Sequence, residues 1–503
     1  MLDARFAAGD TGAKAPHFLL VFLVALIAIL PVWMPTFPAM CDAPQIAAQV
    51  AIYSQLGNAG FRFSDLFVSH AQTPNLAGYA LVYWLCPLMG LVSACKFTVS
   101  VALVGFLLAS SWLIDELGGD PRMALLAIPG MYGYSFQWGF LSFLMAAPFG
   151  VLFVIASLRY FRRPTLVRAS GLALLLLLVF FCHALAAAFA AALAGLYALF
   201  DLRSPRDLLS RWLPSTLTLA AAGSWWLHSV AGHPVTHKPM AWQIDFDRVP
   251  DLFINIAGWP QEWIAAAIVV VLAAPVIALL GVRRSPRYWI PFALCLAVAF
   301  FAPHRIFGAE SVYERFAMFV LPSLAIALAP AAPNAGRRQA MALAWVLLFC
   351  TAWTGGMSWR MNIFEAEARG FSTILDQMQP GQRLLILSCN HNSKAFSAAV
   401  FLHYPAWYAA LKNGVADPNF AGSNVGLVWY RPDAAPAAQF ADFEFHPQLF
   451  DWKQHQGERY RYFVVRSSDE MGSKLFAGAG HTVQLRAHDG DWWLYENDLN
   501  DPS

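Results

Sequence analysis

The chain has 503 residues, of which 58% are hydrophobic and only 13% charged, and its formal net charge is +2. A soluble domain carries roughly a quarter charged residues, so this composition excludes an ordinary soluble protein. The near-neutral charge gives no support for nucleic acid as a partner. Apolar residues occur in blocks of about 20, the length at which an α-helix crosses a bilayer. The sequence therefore predicts a polytopic α-helical membrane protein.

The first apolar run does not resemble a signal peptide, and the cysteines do not have the spacing of metal ligands. The run "FLLVFLVALIAILPVW" is long enough to span, and no small-residue cleavage site follows it, so we expect a membrane span rather than a signal peptide. The seven cysteines are scattered, mostly within apolar runs, without C-x-x-C or zinc-ligand spacing to histidine. We expect them to be small buried apolar side chains.

Short basic loops, which mark the cytoplasmic side, predict the topology. They are the N-terminal tail with Arg5 and Lys14, 159–168, 201–211, 281–287 and 334–338. About eleven spans place all of them inside, with the N-terminus inside and the C-terminus outside. The predicted spans are 17–35, 96–114, 122–136, 138–160, 169–183, 184–200, 213–230, 260–281, 288–302, 315–332 and 339–356.

The apolar stretch 76–92 is left out of this count. If it also crossed, the basic loop "RYFRR" would lie outside, against the charge rule. The stretch is short, aromatic and interrupted by Pro87, so we interpret it as an interfacial or re-entrant helix. The large outer loop 36–95 then contains a second such helix at 43–57, where Ile46, Val50 and Tyr53 follow helical spacing and the glutamines lie mainly off that stripe.

The region from about 357 to 503 differs in character from the membrane part at 1–356. The runs "PGQRLLIL" and "RYRYFVVRS" are short, rich in β-formers and bounded by turn residues. We expect a small soluble α/β domain on the outer face, which is the periplasmic side of an inner membrane. The segment "SCNHNSKAF" after its first strand either binds a polar ligand group or is an ordinary loop.

Asp42 stands where the first span emerges on the outer side, flanked by Pro38 and Pro44. A carboxylate at this position can take a proton from an acceptor hydroxyl. It can equally cap the following helix, with Pro44 in the first turn. The two roles are compatible.

The short outer segment 303–328 concentrates ionisable side chains, which cost free energy near a membrane unless they are paired or functional. They are His304, Arg305, Glu310, Glu314 and Arg315. Arg315 lies at the mouth of the next span, where its planar fork suits a phosphate. The alternative is ion pairing of Glu314 with Arg315, or of Glu310 with Arg305.

Several other side chains are weaker candidates. His183 falls at a tight outer turn, where a structural role is the alternative. Asp245 and Asp247 in "DFD" either hold a divalent ion through oxygen ligands or belong to a solvated loop. Asp65 and His70, in the first outer loop, are reserve acid–base candidates.

The order of these parts resembles the GT-C superfamily of membrane glycosyltransferases, which includes aminoarabinose and protein O-mannosyl transferases that use polyprenyl-phosphate sugars. In that family the first outer loop opens with a catalytic Asp or Glu, matched here by Asp42. Its "P-P-L-Y-x-W-L" interfacial helix is similar to "PNLAGYALVYWL" (74–85), and its "R-Y-x-x-P-x-x-P" helix start to "RFAMFVLP", which begins at Arg315. The motif "D-Y-P-N-H" of bacterial members is met as "D-A-P-Q-I", in which Ile46 replaces the histidine.

The resemblance implies an inverting glycosyltransferase of the inner membrane that acts on its outer face. Asp42 would deprotonate the acceptor, and Arg315, with Arg305 or His304, would stabilise the leaving phosphate. The partners would be a polyprenyl-phosphate-linked sugar, membrane lipids and a glycan, lipid or protein acceptor, with no cofactor and no obligatory metal. The alternatives are a transporter or flippase and a non-catalytic assembly subunit. The sequence shows no repeated halves and few ionisable residues within the predicted spans, which disfavours a transporter.

Overall fold

The computed structural model describes residues 11–200, 202, 204–230, 239–306, 309–330, 336–422, 426–439 and 444–498. Arg5 of the predicted basic tail lies outside these residues. Segment 231–238, at the start of the outer loop predicted at 231–259, also lies outside them. The α-helices are α1 (Thr11–Ala28), α2 (Ala43–Gln55), α3 (Leu76–Met89), α4 (Leu91–Glu116), α5 (Ile128–Met131), α6 (Tyr134–Trp138), α7 (Leu141–Arg162), α8 (Leu166–Cys182), α9 (Ala184–Ala198), α10 (Pro205–Val230), α11 (Arg248–Ala257), α12 (Glu262–Leu280), α13 (Ile290–Phe301), α14 (Val320–Ala327), α15 (Gly336–Asp376), α16 (Trp407–Lys412) and α17 (Gly472–Leu475). The strands are β1 (Phe67–Ser69), β2 (Arg383–Ser388), β3 (Val415–Asp417), β4 (Val428–Tyr430), β5 (Tyr462–Arg466), β6 (Val483–Asp489) and β7 (Trp492–Asn497).

The apolar helices make this an integral membrane protein. Five stretches in the described part of the chain are long and apolar enough to cross a bilayer: Ala15–Trp33, Leu91–Glu116, Leu141–Arg162, Glu262–Leu280 and Gly336–Asp376. Four shorter apolar helices, α3, α8, α9 and α13, accompany them. The count of eleven spans remains a prediction.

One predicted span is wrong as a continuous helix. Residues 122–136 form a 3-10 helix (Pro121–Ala127) followed by the short helices α5 and α6. Proline and glycine in "IPGMYGYSFQWG" interrupt the helical hydrogen bonds here. The segment is almost entirely buried, and irregular backbone is tolerated at membrane depth where protein covers it. This irregular segment becomes one wall of the site.

Length alone does not separate helix α3 from the predicted spans. Its 14 residues span about 21 Å, less than the hydrocarbon core of about 30 Å, but α9 and α13, which the prediction counts as spans, have only 15 and 12 residues. Trp84 and Leu88 on its surface are 72% and 78% exposed. Gly90, with φ +77°, separates α3 from α4 and allows the sharp change of direction.

Helix α15 runs through the predicted boundary between residues 356 and 357. It has 41 residues and continues without a break to Asp376. Its second half carries the packing surface for the C-terminal sheet, because Phe371 contacts both Tyr404 and Trp492. The chain becomes more polar near residue 357 because the first half of α15 belongs to the apolar part of the protein, whereas its second half packs against the C-terminal sheet.

The C-terminal strands form a mixed five-stranded sheet in the order β3-β2-β5-β7-β6. Strand β2 is parallel to β3 and β5, and β7 is antiparallel to β5 and β6. A separate pairing joins β1 of the outer loop to β4, with Phe67 opposite Tyr430. The C-terminal region and the outer loop therefore pack as one structure, and they meet at the candidate site.

Candidate active site

Asp42 occupies the N-cap position of α2 without using its side chain as a cap. Pro44 lies in the first turn of the helix, as the sequence predicts, but the Asp42 carboxylate makes no capping hydrogen bond. The carboxylate is directed to another partner. The capping alternative therefore accounts for the position of Asp42 in the chain but not for the direction of its side chain.

The backbone around Asp42 is held by helix α6. The amide N of Cys41 donates to the carbonyl of Gln137 at 2.8 Å, and the amide N of Asp42 donates to that of Trp138 at 3.0 Å. Gly139 follows with φ +81°, and a Cβ on it would lie 2.8 Å from the Asp42 amide nitrogen. Only glycine permits this close approach. The irregular segment 121–138 thus fixes where the carboxylate stands.

The partner of Asp42 is His403, from the C-terminal region. His403 Nδ1 lies 3.0 Å from Asp42 Oδ1 and 3.6 Å from Cys41 Sγ. On the other side of the ring, Nε2 lies 2.5 Å from Glu444 Oε1. His403 and Cys41 are buried, whereas the side chains of Asp42 and Glu444 are 14% and 36% exposed. Asp42 Oδ2 has no hydrogen-bond partner among the described residues and is not sealed from solvent.

The carboxylates make this cluster attractive to positive charge. Burial acts to lower the pKa of His403, but Cys41, Asp42 and Glu444 together raise it well above its ordinary value. Burial raises the pKa of the Cys41 thiol to about 11, so the thiol is neutral near neutral pH. We therefore attribute the raised pKa of His403 to the two carboxylates.

Sequence reasoning did not find His403, Glu444 or the role of Cys41. His403 stands in "FLHYPAW", among buried aromatic residues, and no local motif marks it. Phe420 packs edge-on against its ring at 5.5 Å. The prediction that the cysteines are only small buried side chains is incomplete for Cys41, which is buried but contacts a titratable cluster.

Arg315 lies at the start of the helix that leads into α14, as predicted. Its guanidinium stacks on Phe140, 3.8 Å from the ring centre. Nη1 donates to His183 Nε2 at 3.0 Å, Nη2 to the Glu310 carbonyl at 2.7 Å, and Nε to the Ser311 carbonyl at 3.1 Å.

None of these partners is negatively charged, so none of them neutralises the charge of Arg315. His183 accepts the bond from Arg315, so its Nε2 carries no proton and the ring is neutral. In the described part of the chain, no carboxylate forms an ion pair with Arg315. The Asp42 carboxylate is nevertheless close enough to act on it electrostatically. The two principal candidates from the sequence therefore belong to one region.

The remaining charges of segment 303–315 are paired with each other. His304 Nδ1 lies 2.5 Å from Glu314 Oε1, and Arg305 Nε lies 3.2 Å from Glu310 Oε1. The Glu310–Arg305 pair is the alternative that the sequence offered, and Glu314 pairs with His304 instead of with Arg315. Of the three candidates, Arg315 is thus the one that no carboxylate of the described residues contacts.

The weaker candidates lie elsewhere. Asp65 is exposed on a 3-10 turn. His70 is buried and stacks on Trp429 with ring centres 3.4 Å apart, which fastens the outer loop to the C-terminal region. Asp245 and Asp247 are exposed just before α11 and belong to no cluster of metal-ligating side chains in the described ranges.

The loop "SCNHNSKAF" uses its polar groups within the protein. Ser393 Oγ donates to Glu367 at 2.5 Å, and the amide of Lys394 donates to the same carboxylate at 3.0 Å. Arg466 donates to the carbonyls of Asn390 and Asn392. These contacts favour the ordinary structural loop over a ligand site.

Comparison with solved structures shows that the chain has an ArnT-like fold, which supports the predicted resemblance at the level of the fold. The structural neighbour that shows this is ArnT from Cupriavidus metallidurans bound to undecaprenyl phosphate, with a TM-score of 0.52 and 11% sequence identity over 98% of this chain and 99% of that chain. The apo structure of the same ArnT has a TM-score of 0.49 and 11% identity over 96% and 98% of the two chains. No protein-family model matches the sequence, and no curated protein matches it.

Proposed function

We propose that this protein is an inverting glycosyltransferase that moves a sugar from a polyprenyl-phosphate donor to an acceptor hydroxyl on the outer face of the membrane. The observation that carries the proposal is that one short segment contacts both candidates: the Asp42 amide donates to the Trp138 carbonyl, and the Arg315 guanidinium stacks on Phe140. Asp42 has one carboxylate oxygen without a hydrogen-bond partner among the described residues, and no described carboxylate is in contact with Arg315. One group serves the acceptor and the other the leaving phosphate. The shared fold with ArnT, solved with undecaprenyl phosphate, supports the choice of donor.

The surroundings of Arg315 suit a lipid phosphate. The backbone carbonyls of Glu310 and Ser311, with His183, hold the guanidinium in a fixed orientation without neutralising it. Nη1 and Nη2 each carry a second N–H, and a phosphate oxygen that accepts from it gains a charge-assisted hydrogen bond while these partners stay in place. The negative charge that develops on the leaving phosphate would therefore be stabilised by a preorganised donor.

Apolar aromatic side chains follow Arg315 along its helix. They are Phe316 and Phe319, and Phe189 of α9 stacks on Phe319 with ring centres 5.4 Å apart. A small apolar cavity of about 40 Å³ lies beside them, and Arg315 is not among its lining residues. The isoprene chain of a donor whose phosphate lies at Arg315 would run along apolar side chains of this kind.

Asp42 would serve the acceptor in a single displacement. The acceptor oxygen attacks the anomeric carbon while the bond from that carbon to the phosphate oxygen breaks. The hydroxyl proton passes to Asp42 Oδ2, and the electron pair of the broken bond leaves with the polyprenyl phosphate. One displacement inverts the anomeric configuration. The acceptor is a glycan, lipid or protein hydroxyl that arrives from the aqueous side.

Transfer measured in reconstituted vesicles tests this function. Protein in vesicles that contain a polyprenyl-phosphate sugar should release polyprenyl phosphate when acceptor is added. Asp42→Asn keeps the shape but is a far weaker proton acceptor, so we expect transfer to fall about 100-fold or more. Asp65→Asn, an exposed carboxylate of the same loop, is the matched control and should leave the rate within about twofold. Full transfer by Asp42→Asn would remove Asp42 as the base.

A further inference from the structure

Three side chains of different chemistry converge beside the proposed reaction centre. Cys41 Sγ, a carboxylate oxygen of Asp42 and a ring nitrogen of His403 all lie within 4.8 Å of one another. His403 Nδ1 is 3.6 Å from the sulfur and 3.0 Å from Asp42 Oδ1. In a tetrahedral zinc site, with bonds of about 2.3 Å to sulfur and about 2.0 Å to nitrogen and oxygen, neighbouring ligand atoms are about 3.3–3.6 Å apart. The two separations from His403 Nδ1, to the sulfur and to Asp42 Oδ1, come within a few tenths of an ångström of these values, and the sulfur and the Asp42 carboxylate lie within 4.8 Å of each other.

The second nitrogen of His403 gives independent evidence. A histidine that ligates a metal almost always donates its other ring N–H to a carboxylate or a carbonyl, which fixes the tautomer and the orientation of the ring. Here Nε2 lies 2.5 Å from Glu444 Oε1. Glu444 comes from a different segment than the three converging side chains, so chain proximity does not explain its place. The ring is oriented with Nδ1 toward Cys41 and Asp42.

The three positions are also held before any ligand arrives. The amides of Cys41 and Asp42 are tied to the carbonyls of Gln137 and Trp138. Cys41 and His403 are buried, and His403 is packed against Phe420. Rigid support of this kind reduces the ordering that metal binding would otherwise require.

The donor atoms select the ion. Calcium and magnesium take oxygen ligands, so a sulfur–nitrogen–oxygen set excludes both. Zinc accepts thiolate, imidazole and carboxylate together, and sites with three protein ligands keep a fourth position for water or substrate. Asp42 is the ligand with solvent access, so the fourth position opens on its side.

We propose that Cys41 Sγ, Asp42 Oδ1 and His403 Nδ1 bind one Zn²⁺, with Glu444 as the outer partner of His403. The fourth position takes an oxygen ligand, which is water in the resting protein and the acceptor hydroxyl during turnover. Only this last assignment rests on the proposed transferase function. The site departs from the sequence-based expectation of no obligatory metal, because its third ligand comes from a part of the chain that the local pattern did not connect to Asp42.

The test is the zinc content of the purified full-length protein. Protein in detergent is incubated with zinc chloride, freed of unbound metal by gel filtration, and measured by inductively coupled plasma mass spectrometry. We expect one zinc ion per chain for the wild type and for the matched control Cys389→Ser. Cys41→Ser and His403→Gln should fall to background, and Glu444→Gln should bind zinc about 10–100-fold more weakly.

Cobalt provides a second readout, which reports directly on whether sulfur is a ligand. Co²⁺ bound to a thiolate gives a sulfur-to-cobalt charge-transfer band, which should be present in the wild type and in Cys389→Ser and absent in Cys41→Ser. Should Cys41→Ser or His403→Gln misfold, Glu444→Gln, at a partly exposed position, still reports on the site. A wild type that retains no zinc, or a Cys41→Ser protein that retains all of it, would overturn the proposal. Zinc binding without sugar transfer would keep the site and reject the transferase, and full transfer by metal-free protein would remove zinc from the reaction.

Discussion

His403 Nδ1 lies 3.0 Å from Asp42 Oδ1, although 361 positions separate the two residues in the chain. The contact does not stand alone, because Gln45 Nε2 donates to the Pro418 carbonyl at 2.9 Å and the Val428 amide donates to Gln49 Oε1 at 2.8 Å. These glutamines are buried, so the polar side of α2 faces the C-terminal region. The candidate site is therefore formed only when the C-terminal region has folded against α2.

Arg315 should determine whether the protein binds a polyprenyl phosphate. Arg315→Gln removes the charge and three of the five N–H donors, and we expect lipid-phosphate affinity to fall about 10–100-fold, since a hydrogen bond to a charged group contributes about 1.5–3 kcal/mol. Native mass spectrometry of protein with added undecaprenyl phosphate measures the bound fraction.

The matched control for Arg315 is Arg305→Gln, because Arg305 is already paired with Glu310. Loss of one partly exposed ion pair should change lipid binding by no more than about threefold. If Arg315→Gln binds the lipid as well as the wild type does, the phosphate lies elsewhere and Arg315 has a structural role.

Gly139→Ala should move Asp42 and inactivate the protein. Its Cβ would lie 2.8 Å from the Asp42 amide nitrogen, in addition to the strain of φ +81°, which amounts to about 1–3 kcal/mol. Gly57→Ala is the matched control, with φ +84° and no atom within 4 Å of the added Cβ. Both variants should lower the unfolding temperature, and only Gly139→Ala should abolish transfer. Equal activity of the two would show that the contact with Asp42 is not needed.

Gln137 should contribute more to stability than any surface glutamine. Its side chain is fully buried, donates to the carbonyls of Tyr132 and Gly258, and accepts from Ser397 and from the amide of Ala398. Gln137→Met keeps the length of the side chain but removes these hydrogen bonds. The Gly258 carbonyl keeps its bond from Arg360, whereas each buried group left without a partner costs about 1–3 kcal/mol.

We therefore expect Gln137→Met to lower the free energy of unfolding by at least about 2 kcal/mol. Thermal unfolding followed by tryptophan fluorescence measures this. Gln454→Met, at an exposed position, should stay within about 0.5 kcal/mol of the wild type. A Gln137→Met protein as stable as Gln454→Met would contradict the importance of this buried network.

The His304–Glu314 pair should stabilise the protein at low pH and lose that effect at high pH. The hydrogen bond to Glu314 raises the pKa of His304, although burial opposes the shift. A raised folded-state pKa means that the contribution is complete below the unfolded value of about 6.5 and fades as the pH rises through the folded value.

His304→Asn should therefore lower the unfolding temperature more at about pH 6 than at about pH 9. The pair is partly exposed, so the effect at low pH should amount to no more than about 1 kcal/mol. The comparison needs the wild type at both pH values, which removes effects common to both proteins. The same difference at both pH values would show that the pair is not ionised as the geometry indicates.

The local sequence pattern was sufficient to select two residues of the candidate site. Asp42 and Arg315 each stand at an end of an apolar run, and a charge at that boundary is visible in the sequence. His403 and Glu444 are not visible, because their role depends on how the C-terminal sheet packs on the outer loop. A histidine between buried aromatic residues has the same local pattern whether or not a carboxylate faces it.

The errors in the fold have physical reasons as well. Segment 122–136 is apolar enough to span, but its prolines and glycines break the helix, and protein contacts replace the missing backbone hydrogen bonds. The boundary at 357 follows a real change in hydropathy. A helix continues through such a change when no proline stops it, as α15 does.

The length of α15, which continues without a break, fixes a distance between the two parts of the protein that it connects. Forty-one residues make a rod about 60 Å long, roughly twice the thickness of the hydrocarbon core. The upper half is fastened to the sheet, since Arg360 Nε donates to the Ala395 carbonyl at 2.6 Å and Trp492 Nε1 to that of Glu367 at 2.9 Å. A helix of this length holds the C-terminal region, which contains His403, at a fixed distance from the membrane-spanning part. For the transferase proposed above, the acceptor hydroxyl would have to reach Asp42 at this fixed distance from the lipid.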